Sequence, residues 1–233
     1  HTVSAMETTA VSRSMVAVYT EKVNFFFQLS PPFLARRRDL CYIGENRKEH
    51  AAMDVLVVVD MQNDFVSGAL GTNEAFDIVP YVVGRVVDGL GRGEKILFTR
   101  DTHSPDYLQT QEGRKLPVPH CIRGSEGWEI IPQLREYAAQ PIDKPTFGST
   151  ALGQLLKAQD EDLRRQGKPG VEKVTLIGVC TDICVLSNAL LVKAFLPEAE
   201  IVVEAACCAG VTPQSHETAL CAMAACQITV LRP

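Results

Sequence analysis

Cys184 stands where a thiol is readily turned into a nucleophile. An apolar run over 173–179 leads into Cys180-Thr181-Asp182, and a long apolar helical pattern begins at Ile183. Thr or Asp at such a junction is a natural N-cap, so Thr181 or Asp182 is expected to open the helix and put Cys184 in its first turn. The positive end of the helix dipole and the free N–H groups there favour a thiolate. The bland alternative is a small buried hydrophobe, the usual fate of a free Cys. The company of Cys184 weighs against it. Asp60 directly follows one expected strand and Lys144 ends another. A Lys ammonium beside a thiol stabilises the thiolate, and a carboxylate can take the thiol proton and later give it to a leaving amine. Backbone N–H groups at the helix start can hold an oxyanion. These parts describe acyl transfer from an amide through a thioester. Taken singly, Asp60 reads as a turn cap and Lys144 as a solvated edge charge; their joint placement at strand ends favours a site.

A second set of residues has the character of metal ligands. Asp101-x-His103 and Pro119-His120-Cys121 lie in one long loop, which holds two of the five His. His and carboxylate ligands with open positions describe a catalytic rather than a structural Zn²⁺ or Fe²⁺ site. Glu112, between them, is a candidate fourth ligand, and Cys121 a less favoured one. The alternative is two unrelated loop histidines.

The elements that must position these residues follow from the hydrophobic pattern. Strands are predicted over 55–59, 95–99, 141–144, 173–179, 200–204 and 227–231, and helices over 78–90, 130–138, 151–166, 183–196 and 213–226. Runs such as Val55-Leu56-Val57-Val58-Val59 lack alternation, as in strands buried on both faces. Strands alternating with helices mean crossover connections, hence an α/β fold: a three-layer α/β/α sandwich around a six-stranded, mainly parallel sheet. Ligands then sit beyond the carboxyl ends of the strands, where Asp60, Asp101, Lys144 and Cys184 all fall.

Composition narrows the partners. Over 233 residues the net charge is −5, with no block of like charge except Arg36-Arg37-Arg38, which reads as a solvated patch. Nucleic-acid and membrane-surface binding receive no support, and no apolar run is long enough to span a bilayer. The eight Cys sit in a chain too core-rich to need disulfide staples, and their spacing fits no zinc ribbon or finger. A reducing, cytoplasmic home is expected. The partner expected is a small-molecule amide, with a homo-oligomer left open. Residues 1–52 differ in composition from the rest and are expected to form an ordered N-terminal extension to a hydrolase domain over 53–233, with Met53 an alternative start. Gly89-x-Gly91-x-Gly93 precedes a strand and reads as a helix stop rather than a dinucleotide loop. Cys180-x-x-x-Cys184 is not the redox Cys-x-x-Cys. Cys207-Cys208 is expected in core or turn, and His216 at the surface.

Over 54–231 the chain resembles the isochorismatase-like cysteine hydrolases, and within them the nicotinamidases. Val58-Val59-Asp60-Met61-Gln62-Asn63-Asp64-Phe65, followed by Gly68-Ala69-Leu70, resembles the family's first-strand signature. Gly178-Val179-Cys180-Thr181-Asp182-Ile183-Cys184-Val185 resembles its nucleophile motif, with Cys180 where Ala is commoner. Asp101-x-His103 and Pro119-His120-Cys121 point to nicotinamidase. The resemblance implies a triad of Asp60, Lys144 and Cys184, a cis peptide between Val179 and Cys180, and an oxyanion hole of the Cys180 and Cys184 N–H groups. It also implies a divalent metal (Zn, with Fe or Mn as alternatives) held by Asp101, His103 and His120, with Glu112 resembling the fourth ligand of a subset. Two departures stand out. The second His that many members carry just after Asp-x-His is absent from Ser104-Pro105-Asp106-Tyr107. Pro117 stands where an aromatic residue is usual. Phe65 and Phe147 remain as ring contacts. The implied activity is hydrolysis of nicotinamide to nicotinate and ammonia, in NAD salvage. The rivals are a metal-independent amidase or ureidohydrolase on another small substrate and a non-catalytic binding protein.

Overall fold

Val55 to Val59 are no more than 1% exposed, and their strand is the one on which the rest is laid down. β-branched side chains favour extended backbone, and β1 (Met53–Val59) takes the middle of the sheet, where both faces are covered. The computed structural model describes residues 52–232. The expected extension, with Arg36-Arg37-Arg38, lies outside the described residues except for Ala52.

The sheet has six strands, all parallel, in the order β3-β2-β1-β4-β5-β6. The others are β2 (Lys95–Asp101), β3 (Ile142–Lys144), β4 (Val171–Val179), β5 (Glu200–Ala209) and β6 (Thr229–Leu231). The order reverses between β1 and β4. Right-handed crossovers leaving that point in opposite directions put helices on both faces. Two short helices, α1 (Asn63–Val66) and α2 (Asn73–Asp77), lead to α3 (Val79–Arg92). The buried residues of α3, Val79, Val82, Val86 and Gly89, follow helical spacing, and Gly93 ends it in the left-handed region at φ 78°. After α4 (Gln111–Lys115), the later crossovers are α5 (Thr150–Arg165), α6 (Leu186–Phe195) and α7 (Pro213–Ala225). Ser149 caps α5, and Thr212 with Ser215 forms a capping box on α7.

The backbones of β1 and β4 pack tightly just before the site. Gly178 pairs with Val59 at φ +113°, and a Cβ there would lie 2.1 Å from the Val59 carbonyl oxygen. Only glycine admits that approach.

Three elements differ from expectation. The helix predicted over 130–138 is a single 3₁₀ turn, Arg135–Tyr137. Ile130 and Ile131 are buried instead, and Ile130 bridges antiparallel to Gln62; tertiary burial overrides a weak local preference. β5 runs to Ala209, so Cys207 and Cys208 are buried strand residues. The helix predicted from Ile183 opens as one π-helical turn, Thr181–Val185, before α6. Among the described residues, no helix is long and apolar enough to cross a membrane.

Candidate active site

The carboxyl ends of β1, β2, β3 and β4 meet at the point where strand order reverses, the usual ligand crevice of such sheets. Asp60 follows β1 at φ 50°, a conformation that a short polar side chain tolerates. Its Oδ1 accepts from the Thr99 hydroxyl at 2.7 Å, and its Oδ2 lies 2.7 Å from Lys144 Nζ. Lys144 ends β3 and is 1% exposed; its ammonium also reaches Cys184 Sγ at 3.4 Å and Asp101 Oδ1 at 3.3 Å. The structure thus brings Asp60, Lys144 and Cys184 together. A buried cation of this kind is tolerable only because anionic partners surround it.

The turn that carries Cys184 is held differently from expectation. Cys180 occupies the N-cap position and makes no side-chain cap, and the Val185 N–H reaches back to the Cys180 carbonyl at 3.0 Å. Neither Thr181 nor Asp182 caps. The fully buried Thr181 hydroxyl bonds His216 Nδ1 at 2.8 Å, and Asp182 Oδ1 accepts from the Val211 N–H at 3.1 Å. His216, expected at the surface, is half-buried through this contact. Asn188 Nδ2 donates to the Cys184 carbonyl at 2.8 Å, fixing the far side of the turn. The peptide between Val179 and Cys180 is cis.

Electrostatics also correct the expectation of a resting thiolate. Burial, then the Asp60 carboxylate, push the Cys184 thiol well above its ordinary value, and Lys144 only partly offsets them. Burial raises the Asp60 carboxyl as well, against the lowering effect of Lys144. Burial alone would lower the Lys144 ammonium, but the neighbouring acidic groups, Asp60 first and Asp101 with it, outweigh it and raise the group. The resting Cys184 is therefore a protonated thiol beside the Lys144 ammonium. Burial pushes the Cys180 thiol up to about 12, so its sulfur is inert near neutrality.

The second set converges as well. Asp101, His103 and His120 are buried and offer ligand atoms all within 4.8 Å of one another. Asp101 Oδ2 is 2.9 Å from His103 Nε2 and 3.6 Å from His120 Nε2. Glu112, on α4, stands farther out, its Oε1 3.7 Å and 4.0 Å from the same two nitrogens. His120 Nδ1 contacts the Val118 carbonyl at 2.8 Å, which assigns the proton to Nδ1 and leaves the Nε2 lone pair facing the cluster. His103 Nε2 is buried without an aligned hydrogen bond. A buried imidazole nitrogen left without a hydrogen bond, beside a second lone pair and a carboxylate, fits a divalent cation. Cys121 is outside the cluster: its backbone N–H bonds Asp64 Oδ2 at 2.7 Å, and burial pushes its thiol strongly up. Despite burial, which would raise it, the close approach of the His103 and His120 imidazoles and the Lys144 charge hold the Asp101 carboxyl well below its ordinary range.

Several positioning residues escaped the sequence reading. Gln62 is fully buried and clamps the Asp101 backbone: its Oε1 accepts from the Asp101 N–H at 2.7 Å, and its Nε2 donates to the Asp101 and Trp128 carbonyls, each at 2.9 Å. Trp128 Nε1 donates to the Thr102 hydroxyl at 2.8 Å. The Tyr107 ring packs 4.6 Å and 5.0 Å from the His103 and His120 rings, and its hydroxyl donates to the Leu116 carbonyl.

A cavity of ≈ 540 Å³ opens over both sets. Asp101, Glu112, His120 and Cys184 line it, with Phe65 and Ile183 as walls and Leu116, Phe147 and Val211 among its more exposed residues. Phe65 stands edge-on to His120, centroids 5.6 Å apart. A second cleft of ≈ 420 Å³, beside Lys157, Arg164 and Phe195, is lined by none of these residues and by no thiol or hydroxyl side chain.

Comparison with known proteins adds the following. The family model of the isochorismatase domain matches residues 54–232. An uncharacterised isochorismatase family protein of Bacillus subtilis is 28% identical over 177 residues, covering 71% of this chain and 91% of that protein. The nicotinamidase of Escherichia coli is 27% identical over 160 residues, covering 58% and 74%. The crystal structure of a pyrazinamidase of Pyrococcus horikoshii in complex with zinc superposes with a TM-score of 0.61 at 30% identity, covering 77% of this chain and 99% of that one.

Proposed function

The chain belongs to the isochorismatase family, and from that premise we propose that it is a nicotinamidase, hydrolysing nicotinamide to nicotinate and ammonia through a thioester on Cys184. What supports this reading most is Lys144 Nζ, 2.7 Å from Asp60 and 3.4 Å from Cys184, next to a metal-type cluster in the same cavity.

In this reading Asp60 takes the Cys184 proton as the sulfur attacks the carboxamide carbon. Lys144 compensates the charge that forms on sulfur, which matters because burial disfavours the thiolate at rest. The N–H groups of Cys180 and Cys184 face the oxyanion of the tetrahedral intermediate. Asp60 then returns its proton to the departing ammonia, and deprotonates the water that cleaves the thioester. Phe65 meets the ring on its buried side and Phe147 on the side toward the opening. Asp101, His103 and His120, with Glu112, would hold a divalent metal, Zn²⁺ before Fe²⁺ or Mn²⁺, whose Lewis acidity anchors the pyridine nitrogen.

The test is ammonia release from nicotinamide by protein loaded with Zn²⁺, Fe²⁺ or Mn²⁺. Activity is expected with at least one metal and none above background for Cys184→Ala. Full activity of Cys184→Ala would refute the mechanism.

A further inference from the structure

The cavity is larger and more apolar at its mouth than a one-ring amide needs. Asp101, His120 and Cys184 are among its most buried lining residues, at 3%, 3% and 5% exposed, so a ring that meets them fills only its buried end. The whole space, ≈ 540 Å³, falls within the range that holds drug-sized ligands, roughly 300–1,000 Å³. Three large apolar side chains that line it are left open to solvent: Leu116 at 39%, Phe147 at 45% and Val211 at 47%. Apolar surface gathered at one opening marks a place where something apolar lands.

Each of these residues is held in place through its backbone. The Leu116 carbonyl accepts from the Tyr107 hydroxyl, the Val211 N–H is bound by Asp182, and the Phe147 carbonyl accepts from Asn188. The opening is therefore a built surface rather than a loose collection of loop residues. Among the described residues that line the cavity, Lys115 is the single cation.

We propose that the preferred substrate is an aromatic carboxamide bearing an uncharged apolar substituent, which lies against Leu116, Phe147 and Val211 while the amide meets Cys184. This rests on the amidase reading and narrows its substrate class. The bond broken is the same carboxamide C–N bond, with water as co-reactant and ammonia as product; the substituent only adds binding.

The experiment compares kcat/KM of the metal-loaded protein for nicotinamide with that for its 5- and 6-propyl, 5- and 6-phenyl and 5- and 6-carboxymethyl derivatives. At least one propyl or phenyl compound is expected to exceed nicotinamide by about tenfold or more, the discrimination that an apolar group commands in a hydrophobic pocket. Leu116→Trp and Val211→Trp, which fill the opening, are each expected to cut the ratio of substituted to parent amide by about tenfold. Because the readout is a ratio within one variant, partial misfolding does not mimic it. The proposal is overturned if nicotinamide is hydrolysed as well as or better than every propyl and phenyl compound, if a carboxymethyl compound is preferred, or if neither Trp variant moves the ratio. Hydrolysis of no amide at all, with any metal, would instead defeat the amidase reading, and this inference with it.

Discussion

Replacing Lys144 with Met separates the electrostatic account of the site from a merely steric one. The side chain is 1% exposed, and Met conserves most of its volume while removing the charge. Its ammonium lies 2.7 Å from Asp60 Oδ2, 3.3 Å from Asp101 Oδ1 and 3.4 Å from Cys184 Sγ. Breaking a buried pair by removing one partner costs about 3–5 kcal/mol, because the other charge is left uncompensated. Asp60 has a way out: burial already raises its carboxyl, so without Lys144 it takes up a proton, at about 1.4 kcal/mol per unit of pKa between its folded value and the ambient pH. The cost should therefore sit near the lower end, about 3 kcal/mol, or roughly 6–12 °C in Tm for a domain of this size.

A protonated Asp60 cannot take the Cys184 proton. Lys144→Met is expected to lose about 10²–10⁴ in kcat, the usual span for a general base. Thermal unfolding and ammonia release on the same preparations measure both effects. Asp60→Asn supplies the control. If the charges are the reason, Lys144→Met/Asp60→Asn should be more stable than the sum of the single losses by about 1–3 kcal/mol, while staying inactive. An additive cycle, or a Lys144→Met protein with near wild-type activity, would refute the reasoning.

Two further outcomes follow from the positioning residues. Gln62→Leu removes the amide that brackets both backbone groups of Asp101, and outer partners of a ligand are typically worth 10–100-fold in metal affinity; competition with a chelator should show a loss of that order, larger than for substitution of an exposed residue such as Tyr81. Burial lowers the His216 imidazole below its ordinary value, so near and below pH 6.5 the unfolded chain binds more protons there than the folded one. Stability should rise with pH through the window from the lowered folded value up to 6.5. His216→Gln should flatten that rise in urea titrations across pH 5 to 7, and an unchanged slope would show that burial does not perturb the group.

The sheet and the neighbourhood of Asp60, Lys144 and Cys184 were legible because a parallel sheet makes strand ends converge whatever the helices do. A run of β-branched residues ending in Asp60 states both the strand and the place of its last polar side chain. The residues that hold these groups in position carry no such mark. Gln62 meets Asp101 across a separation of 39 residues, Thr99 meets Asp60 across 39 and Trp128 meets Thr102 across 26. Each is an ordinary residue type until the fold supplies its partner. The resting state of the thiol was misjudged for a related reason. A helix start can be read from Thr181 and Asp182, but burial cannot, and burial is the larger effect on Cys184.

The same distinction explains why Asp101 matters more than the motif Asp-x-His suggests. One of its oxygens faces His103 and the other faces Lys144. A cation drawing on Oδ2 would leave less negative charge at Oδ1 to compete for the Lys144 ammonium. In the proposed reaction more of that ammonium would then be directed at Asp60 and at the charge developing on Cys184. The metal-type cluster and the nucleophile would thus be joined through one carboxylate rather than merely sharing a cavity. Asp101→Asn should accordingly impair both metal retention and the reactivity of Cys184 toward iodoacetamide, whereas Glu112→Gln, whose carboxylate faces the two imidazoles, should affect the first alone.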